Sequence, residues 1–297
     1  MKIHIVTISF DKDLEWLKYC IRSIQKYCRD YSGHTIILDD HENDCDLTKQ
    51  YLDSIDYDYV VDTDAKHIPV GYVRQQYMKI VCDKYLPDDT DYVCHVDSDS
   101  VFYEYNTPEM FFSHGNNVPD MLITNYDDLS DEIWVGRWKQ CTEQFMKQSI
   151  EFEYMRRMPL VYSPSLMKDF RQFTETVHSC DILSYLQRQS IFTEYNVLGA
   201  FASKFHNDQY NWINTHHHDF SNLPLLQVWS NQDIGNKSWL FENLITNPQY
   251  HLKLKSILKR LQLSNNLQDD NLVPHRIDYR TDQFLKLYRK IAVTNQE

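Results

Sequence analysis

The sequence predicts an α/β fold, a single main domain in which a mostly parallel central sheet is flanked by helices. Short β-branched segments alternate with amphipathic helical patterns from residue 3 to residue 102, as is typical of parallel strands joined by right-handed crossovers. Hydrophobic residues make up 42% of the 297-residue chain, which has only 6 Gly and 9 Pro. This composition suits one large core rather than a linker-rich chain.

Four strands and three helices are expected in the first part of the chain. The first helix has the clearest pattern, because Leu17, Ile21 and Ile24 recur at the spacing of one helix face. Pro87 stops the third helix. The predicted strands cover residues 3–9, 34–40, 57–63 and the apolar start of 92–102, and the predicted helices cover 14–28, 47–55 and 73–86.

The pattern is weaker after residue 105. A Ser-Pro pair at 163–164 marks the entry to one helix. We predict a main domain over residues 1–245, in two halves that meet at residue 105, and a basic helical extension over 246–297. Within the second half the predicted strands are 121–125 and 158–162, and the predicted helices are 134–146, 163–177 and 181–189.

The charge of the chain excludes some partners. A net charge of −13 argues against a nucleic-acid-binding protein, which needs a basic face. Residues 250–297 differ, with nine Lys or Arg against five Asp or Glu, a net +4 that leaves −17 for the rest. The amphipathic pattern of 251–263 could dock on the acidic domain, or could make peripheral contact with a membrane of anionic lipid.

The cysteines and the hydropathy predict a soluble cytoplasmic protein. The seven cysteines are scattered, odd in number and without a CxxC pair, which fits neither a zinc ribbon nor a disulfide framework. No apolar run reaches the length of a signal peptide or of a membrane span.

Two carboxylates follow the fourth predicted strand, in the sequence Asp97-Ser98-Asp99. Ligands of parallel α/β sheets bind at the carboxyl ends of the strands, so both acids would lie where a ligand sits. Mg²⁺ and Mn²⁺ prefer oxygen ligands of this kind. An acid–base role and the capping of a turn are the alternatives. No GxGxxG or P-loop motif is present, so neither a dinucleotide fold nor a P-loop enzyme is expected.

Together, the order of strands and helices, the segment GYVRQQYMKI (71–80), this DSD and the segment IFTEYNVLGAF (191–201) resemble GT-A-type, nucleotide-sugar-dependent glycosyltransferases. The chain is most similar to the small glycosyltransferases of large algal DNA viruses and their bacterial relatives, over about residues 1–240. The resemblance implies a Rossmann-like fold with a nucleotide-binding half (1–105) and an acceptor-binding half (106–245). If the chain is viral, its compartment would be the host cytoplasm.

The resemblance also implies contacts with a UDP-sugar donor. Residues at the end of the first strand would lie near the uracil and ribose, and an acid after the second strand would bind the base or ribose. Arg74 and Lys79 would face the nucleotide, although a solvated helix face is the alternative. The implied donor-binding residues are Thr7, Ser9, Asp39, Asp40, Arg74, Lys79, Asp97, Ser98 and Asn196.

For the metal, the resemblance implies that Asp99, with help from Asp97, coordinates Mn²⁺ or Mg²⁺, and that a downstream His completes the shell. The segment NTHHHDF offers His216, His217 and His218. Alternate residues of an extended segment share a face, so either His217 alone or His216 with His218 would point inward. We favour His216 or His218, against a polar surface loop.

The proton acceptor of the reaction has two candidates. Glu194 lies where GT-A enzymes keep their catalytic acid, at the start of a helix, but an acid there could also be a helix cap. Asp208 is its rival. Gly199 would allow a close approach of backbone or helix.

The function implied is transfer of a sugar from UDP-glucose, UDP-xylose or UDP-galactose to a hydroxyl of a glycan acceptor, with inversion and Glu194 as base. Trp134, Arg137 and Trp138 could line the acceptor site, or the two Trp could be core residues. The alternative functions are a divalent-metal phosphohydrolase that uses Asp97 and Asp99, and a non-catalytic nucleotide-sugar-binding module.

Overall fold

The computed structural model describes residues 1–41, 45–113, 117–129, 133–155, 159–214, 224–227, 238–247 and 250. The strands described are β1 (Ile3–Ser9), β2 (Gly33–Asp39), β3 (Tyr59–Asp62), β4 (Tyr92–His95), β5 (Ser100–Phe102), β6 (Asp120–Asn125), β7 (Phe152–Glu153), β8 (Leu160–Tyr162), β9 (Asn211–Asn214) and β10 (Leu225–Gln227). The helices described are α1 (Leu14–Tyr27), α2 (Asp46–Ser54), α3 (Gly71–Val81), α4 (Ile133–Met146), α5 (Pro164–His178), α6 (Ile182–Leu186), α7 (Glu194–Phe205) and α8 (Ser238–Thr246).

A five-stranded central sheet has the order β3-β2-β1-β4-β8. The first four strands are parallel, and β8 pairs antiparallel with β4 at the edge. All seven residues of β1 are buried, because helices cover both faces of the sheet. The predicted α/β class with a mostly parallel central sheet is therefore confirmed.

The two faces of the sheet are covered by different helices. Leu17 and Ile21 of α1 pack with Leu52 of α2 against Ile36 and Leu38 of β2. A larger core lies among α3, α5, α7 and the sheet. The helical spacing of α1 is thus the spacing of its buried residues, as predicted.

Two smaller sheets complete the described part of the chain. In one, β10 pairs antiparallel with β5, the strand directly after the DSD sequence. In the other, β6 lies between β7, which is antiparallel to it, and β9, which is parallel. The predicted helix at 73–86 is shorter than expected, because α3 ends at Val81 and continues only as a 3₁₀ turn to Tyr85.

Helix α8 is fixed to α1. Arg22 donates two hydrogen bonds, of 2.8 and 2.9 Å, to the carboxylate of Glu242. Tyr27 donates to the carbonyl oxygen of Ile245 at 2.9 Å, at the end of α8 where helix carbonyls lack partners within the helix. The basic extension predicted over 246–297 lies outside the described residues apart from 246, 247 and 250, and the division at residue 105 stays a prediction.

All seven cysteines are free thiols, in agreement with the sequence prediction. Among the described residues, no helix is both long enough and apolar enough to cross a membrane.

Helix α7 makes a very close approach to the segment after β7. A Cβ added to Gly199 would lie 2.3 Å from the Cβ of Tyr154, which is much too close for two carbon atoms that are not bonded to each other. Asn196 holds the same segment, because its side-chain oxygen accepts a hydrogen bond of 2.8 Å from the backbone N–H of Tyr154. The predicted role of Gly199, to permit a close approach, is confirmed.

Gly199→Ala is expected to destabilise the protein by about 1–3 kcal/mol, because the added methyl group forces α7 away from Tyr154. Gly136→Ala in α4 is the matched control, since a Cβ there meets nothing within 4 Å, and it should stabilise the protein by about 0.5–1 kcal/mol. Urea unfolding measures both changes. Equal unfolding midpoints for Gly199→Ala and the wild type would contradict the packing described.

Candidate active site

The DSD sequence lies at the point where the strand order of the central sheet changes direction. From β1 the chain builds outward to β2 and β3, and it then returns to place β4 on the other side of β1. Ligands of open α/β sheets bind in the crevice at the carboxyl ends of such neighbouring strands. Ser98 bridges the crevice by donating a 2.9 Å hydrogen bond to the carboxylate of Asp13, which follows β1.

Lys79 of α3 lies at the centre of this crevice. Its Nζ is 2.8 Å from Oδ1 of Asp97 and 2.9 Å from Oε1 of Glu194, the first residue of α7. It also lies 4.5 Å from the centre of the Tyr195 ring, within cation–π range. The side chains of Lys79 and Glu194 are only 6% and 3% exposed, so the pair is protected from solvent screening.

The protonation of this pair is set by burial and by mutual attraction. Burial works to lower the pKa of Lys79, but Asp97 and Glu194 outweigh it and hold the pKa well above its usual value. Burial raises the pKa of Glu194, while Lys79 opposes this rise. Lys79 is therefore a permanent cation, and it favours the ionised form of a carboxyl that burial would otherwise protonate.

Gln227 of β10 joins the two acids of the DSD sequence. Its Nε2 donates to Oδ2 of Asp97 at 2.8 Å and to Oδ1 of Asp99 at 3.4 Å. The pairing of β10 with β5 places Gln227 opposite Ser100, directly after Asp99. A hydrogen-bond donor thus lies where two carboxylates would also attract a cation.

The carboxylates of Asp97 and Asp99 therefore meet at this position, and both accept a hydrogen bond from the amide nitrogen of Gln227. Such oxygens suit Mg²⁺ or Mn²⁺, which keep several water ligands and take one or two carboxylates from the protein. No cluster of three or more His, Cys, Asp or Glu forms a metal site within the described ranges. His216 and His218, and His217 between them, lie outside those ranges.

A second buried ion pair lies at the carboxyl end of β2. Nε of Arg74 donates to Oδ2 of Asp39 at 2.7 Å, and Nη1 of Arg74 donates to the carbonyl oxygen of Ile68 at 3.2 Å. Both Arg74 and Lys79 are buried, so the alternative of a solvated helix face is wrong for both. Asp40, in contrast, forms an ion pair with Lys49 of α2, in which Oδ1 of Asp40 lies 3.2 Å from Nζ of Lys49.

Of the remaining residues predicted to bind the UDP-sugar, Thr7 and Asn196 form hydrogen bonds within the protein, and Ser9 has none among the described residues. Thr7 shares a 2.9 Å hydrogen bond with Nε2 of His34. The hydroxyl of Ser9 is buried without a hydrogen-bond partner among the described residues. Asn196 uses its oxygen for Tyr154 and its Nδ2 for the hydroxyl of Thr193, at 2.9 Å.

The two candidate bases lie at opposite ends of α7. Glu194 begins the helix inside the crevice, whereas Asp208 lies in an exposed turn beyond its last residue. The 12 residues of α7 separate them by about 18 Å along the axis. Of the two candidate bases, Glu194 is the one whose carboxylate shares Lys79 with Asp97.

Several site residues were missed by the sequence analysis. Gln227 belongs to a three-residue strand and carries no motif, so only its strand partner reveals it. Asp13 gave a weak signal, as an acid after the first strand. Tyr195 lies beside Glu194 in a segment already singled out, but its contact with Lys79 depends on α3.

The matches to known proteins come from structure and not from sequence. No protein-family model matches the sequence, and no curated protein matches it. A crystal structure of an active-site mutant of LgtC, a GT-A glycosyltransferase, is similar over 72% of this chain and 73% of that one, at 11% identity and a TM-score of 0.45. A structural similarity of this extent does not support a conclusion about function.

Lys79→Met is expected to destabilise the protein by roughly 3–5 kcal/mol near neutral pH, because it leaves the buried carboxylate of Glu194 without its counter-charge. It also removes the charge that opposes the raised pKa of Glu194. A carboxyl with a raised pKa in the folded state binds its proton more tightly when folded, so stability falls as the pH rises through the unfolded value of 4.5. The destabilisation caused by Lys79→Met, measured by urea unfolding, should therefore be smaller near pH 4 than near pH 7.

The double variant Lys79→Met/Glu194→Gln is the control for this pH dependence. It should recover part of the stability at neutral pH, since no unpaired charge remains at residue 194. Equal destabilisation by Lys79→Met at both pH values would show that Lys79 does not neutralise Glu194.

Proposed function

We propose that the protein is a GT-A-type glycosyltransferase that moves a sugar from a UDP-sugar to a hydroxyl of a glycan acceptor. One observation carries this proposal. The two acids of the DSD sequence lie at the switch point between β1 and β4, and Lys79 links Asp97 there to the buried Glu194. Acids that could hold a metal and a diphosphate are thereby brought next to a potential base.

Mg²⁺ or Mn²⁺ is the proposed cofactor. When bound, the ion neutralises the charge of the diphosphate leaving group. We assign Asp99 as its main ligand, because Oδ1 of Asp97 is already paired with Lys79. Asp97 would then contact the ribose or the donor sugar, and His216 or His218 remains a proposal from the sequence.

The nucleotide is assigned to the carboxyl ends of β1 and β2. Arg74 fixes the carboxylate of Asp39 at this edge, so Asp39 rather than Asp40 is the proposed contact of the base or ribose. Arg74 would act by positioning Asp39. The hydroxyl of Ser9, which has no hydrogen-bond partner in the part of the chain that the structure describes, lies at the end of the neighbouring strand.

Glu194 is the proposed general base of an inverting transfer. The acceptor oxygen forms the new bond to the anomeric carbon, and the bond from that carbon to the diphosphate oxygen breaks, leaving its electron pair on UDP. The hydroxyl proton goes to the carboxylate of Glu194. Lys79 supports this role because it favours the ionised carboxylate that can accept a proton.

Glu194→Gln should lower kcat by about 10²–10⁴-fold, the usual contribution of a general base. Asp208→Asn should leave kcat unchanged, since Asp208 lies at the far end of α7. Transfer from labelled UDP-sugar measures both, and NMR of the product gives its anomeric configuration. Loss of activity in Asp208→Asn with retention in Glu194→Gln would reverse the assignment.

UDP should protect the protein from thermal unfolding only when Mn²⁺ or Mg²⁺ is present. A ligand at 100 times its Kd stabilises by about 2.7 kcal/mol, which is easily detected, and Asp99→Asn should abolish the effect. UDP-glucose, UDP-xylose and UDP-galactose are compared in the same assay.

The same experiments separate the alternative functions. A non-catalytic binding module would show the protection by UDP without any turnover. A phosphohydrolase would release inorganic phosphate without transferring sugar. Full protection and full turnover in Asp99→Asn would exclude the metal assignment.

A further inference from the structure

A cavity of about 620 Å³ opens near the amino-terminal end of α3. Neither Lys79 nor Glu194 lines it. Its volume is that of a small-molecule site. Its walls come from the start of α3, one face of α4 and the segment 185–191, and the lining side chains with polar or aromatic groups include Tyr72, Arg137, Trp138, Gln140, Gln144 and Gln189.

The chemistry of the lining is that of a site for hydroxyl groups. Three glutamine amides each offer two donors and an acceptor, so they can match a hydroxyl in either orientation. Tyr72, which is 48% exposed, adds a flat amphipathic ring, whereas Trp138 is only 4% exposed and contributes to the wall chiefly as a buried residue. Arg137 is the one charged residue among the described residues that line the cavity.

The cavity is close to the proposed reaction centre along two separate paths. Tyr72 lies on α3 seven residues before Lys79, on the same face and about 10 Å along the axis. Ile191, in the opposite wall, precedes Glu194 by three residues, which span at most roughly 10 Å.

The wall that leads to Glu194 is built into the fold. The thiol of Cys141 on α4 contacts the carbonyl oxygen of Ile191 at 3.8 Å. Nε2 of Gln189 donates to the carbonyl oxygen of Tyr185 at 3.4 Å. Helix α4 also packs against α7. The cavity is therefore held in a fixed relation to the start of α7.

We propose that this cavity is the acceptor site, and that it binds a sugar residue of the glycan. Its amides would meet the ring hydroxyls and the ring of Tyr72 the apolar face of the sugar. The proposal rests on the function given above, and it adds the place of the acceptor in the fold and the residues that contact it.

The test is binding of methyl glycosides, the α and β anomers of methyl glucoside, galactoside and xyloside, measured by saturation-transfer NMR with and without UDP and Mn²⁺. Ser190 lines the cavity and is exposed, so Ser190→Trp should fill the cavity without disturbing the core. Gln187→Trp is the matched control, because Gln187 is exposed on the same segment but is outside the lining.

At least one glycoside should bind the wild-type protein. Ser190→Trp should weaken that binding by about ten-fold or more, the effect of blocking a preformed pocket, while Gln187→Trp stays within about two-fold. Protection by UDP and Mn²⁺ should be the same in both variants, which also shows that both are folded.

Three results would overturn the proposal: no glycoside bound under either condition, unchanged affinity in Ser190→Trp, or binding only of octyl glycosides, which would indicate a site for an alkyl chain. The proposed function fails separately. If UDP-sugars neither bind nor turn over but Ser190→Trp still abolishes glycoside binding, glycosyl transfer is wrong and the cavity is still a sugar site.

Discussion

The buried ammonium group of Lys79 is the interaction on which the rest of the site depends. Its two carboxylate partners come from distant parts of the chain, Asp97 from the turn after β4 and Glu194 from the first residue of α7. Buried charges are tolerated only when paired, so these three segments can take their positions only together. The site is therefore assembled from three segments that are distant in sequence. The ion pairs that set the charge distribution of the site are also contacts that hold these segments together.

Helix α3 brings a cation to each of two strand ends. Arg74 reaches Asp39 at the end of β2, and Lys79 reaches Asp97 after β4. The two residues are about 7.5 Å apart along the helix, and β2 and β4, with β1 between them, are roughly 10 Å apart. The long, flexible side chains of Arg74 and Lys79 make up the difference between these two distances. One helix thus pairs a cation with an acid on each side of the crevice.

The sequence revealed the parallel strands and the first helices well, because their signals are local. Strands β5, β9 and β10 were not predicted, since each is defined only by its pairing with a strand far along the chain. The same limit applied to the site. Asp97, Lys79 and Glu194 could be proposed singly from the motifs, but their joining in one ion-paired group depends on the packing of α3 against α7. Gln227 gave no signal at all.

The short ladder between β5 and β10 sets the environment of the DSD acids through its register. Leu225, Leu226 and Gln227 pair with Phe102, Val101 and Ser100, and side chains along a strand alternate between its faces. A shift of one residue would carry the amide away from Asp97 and Asp99 and would present the apolar side chain of Leu226 to them. A single insertion or deletion before β10 could therefore disable the site without altering any of its acids.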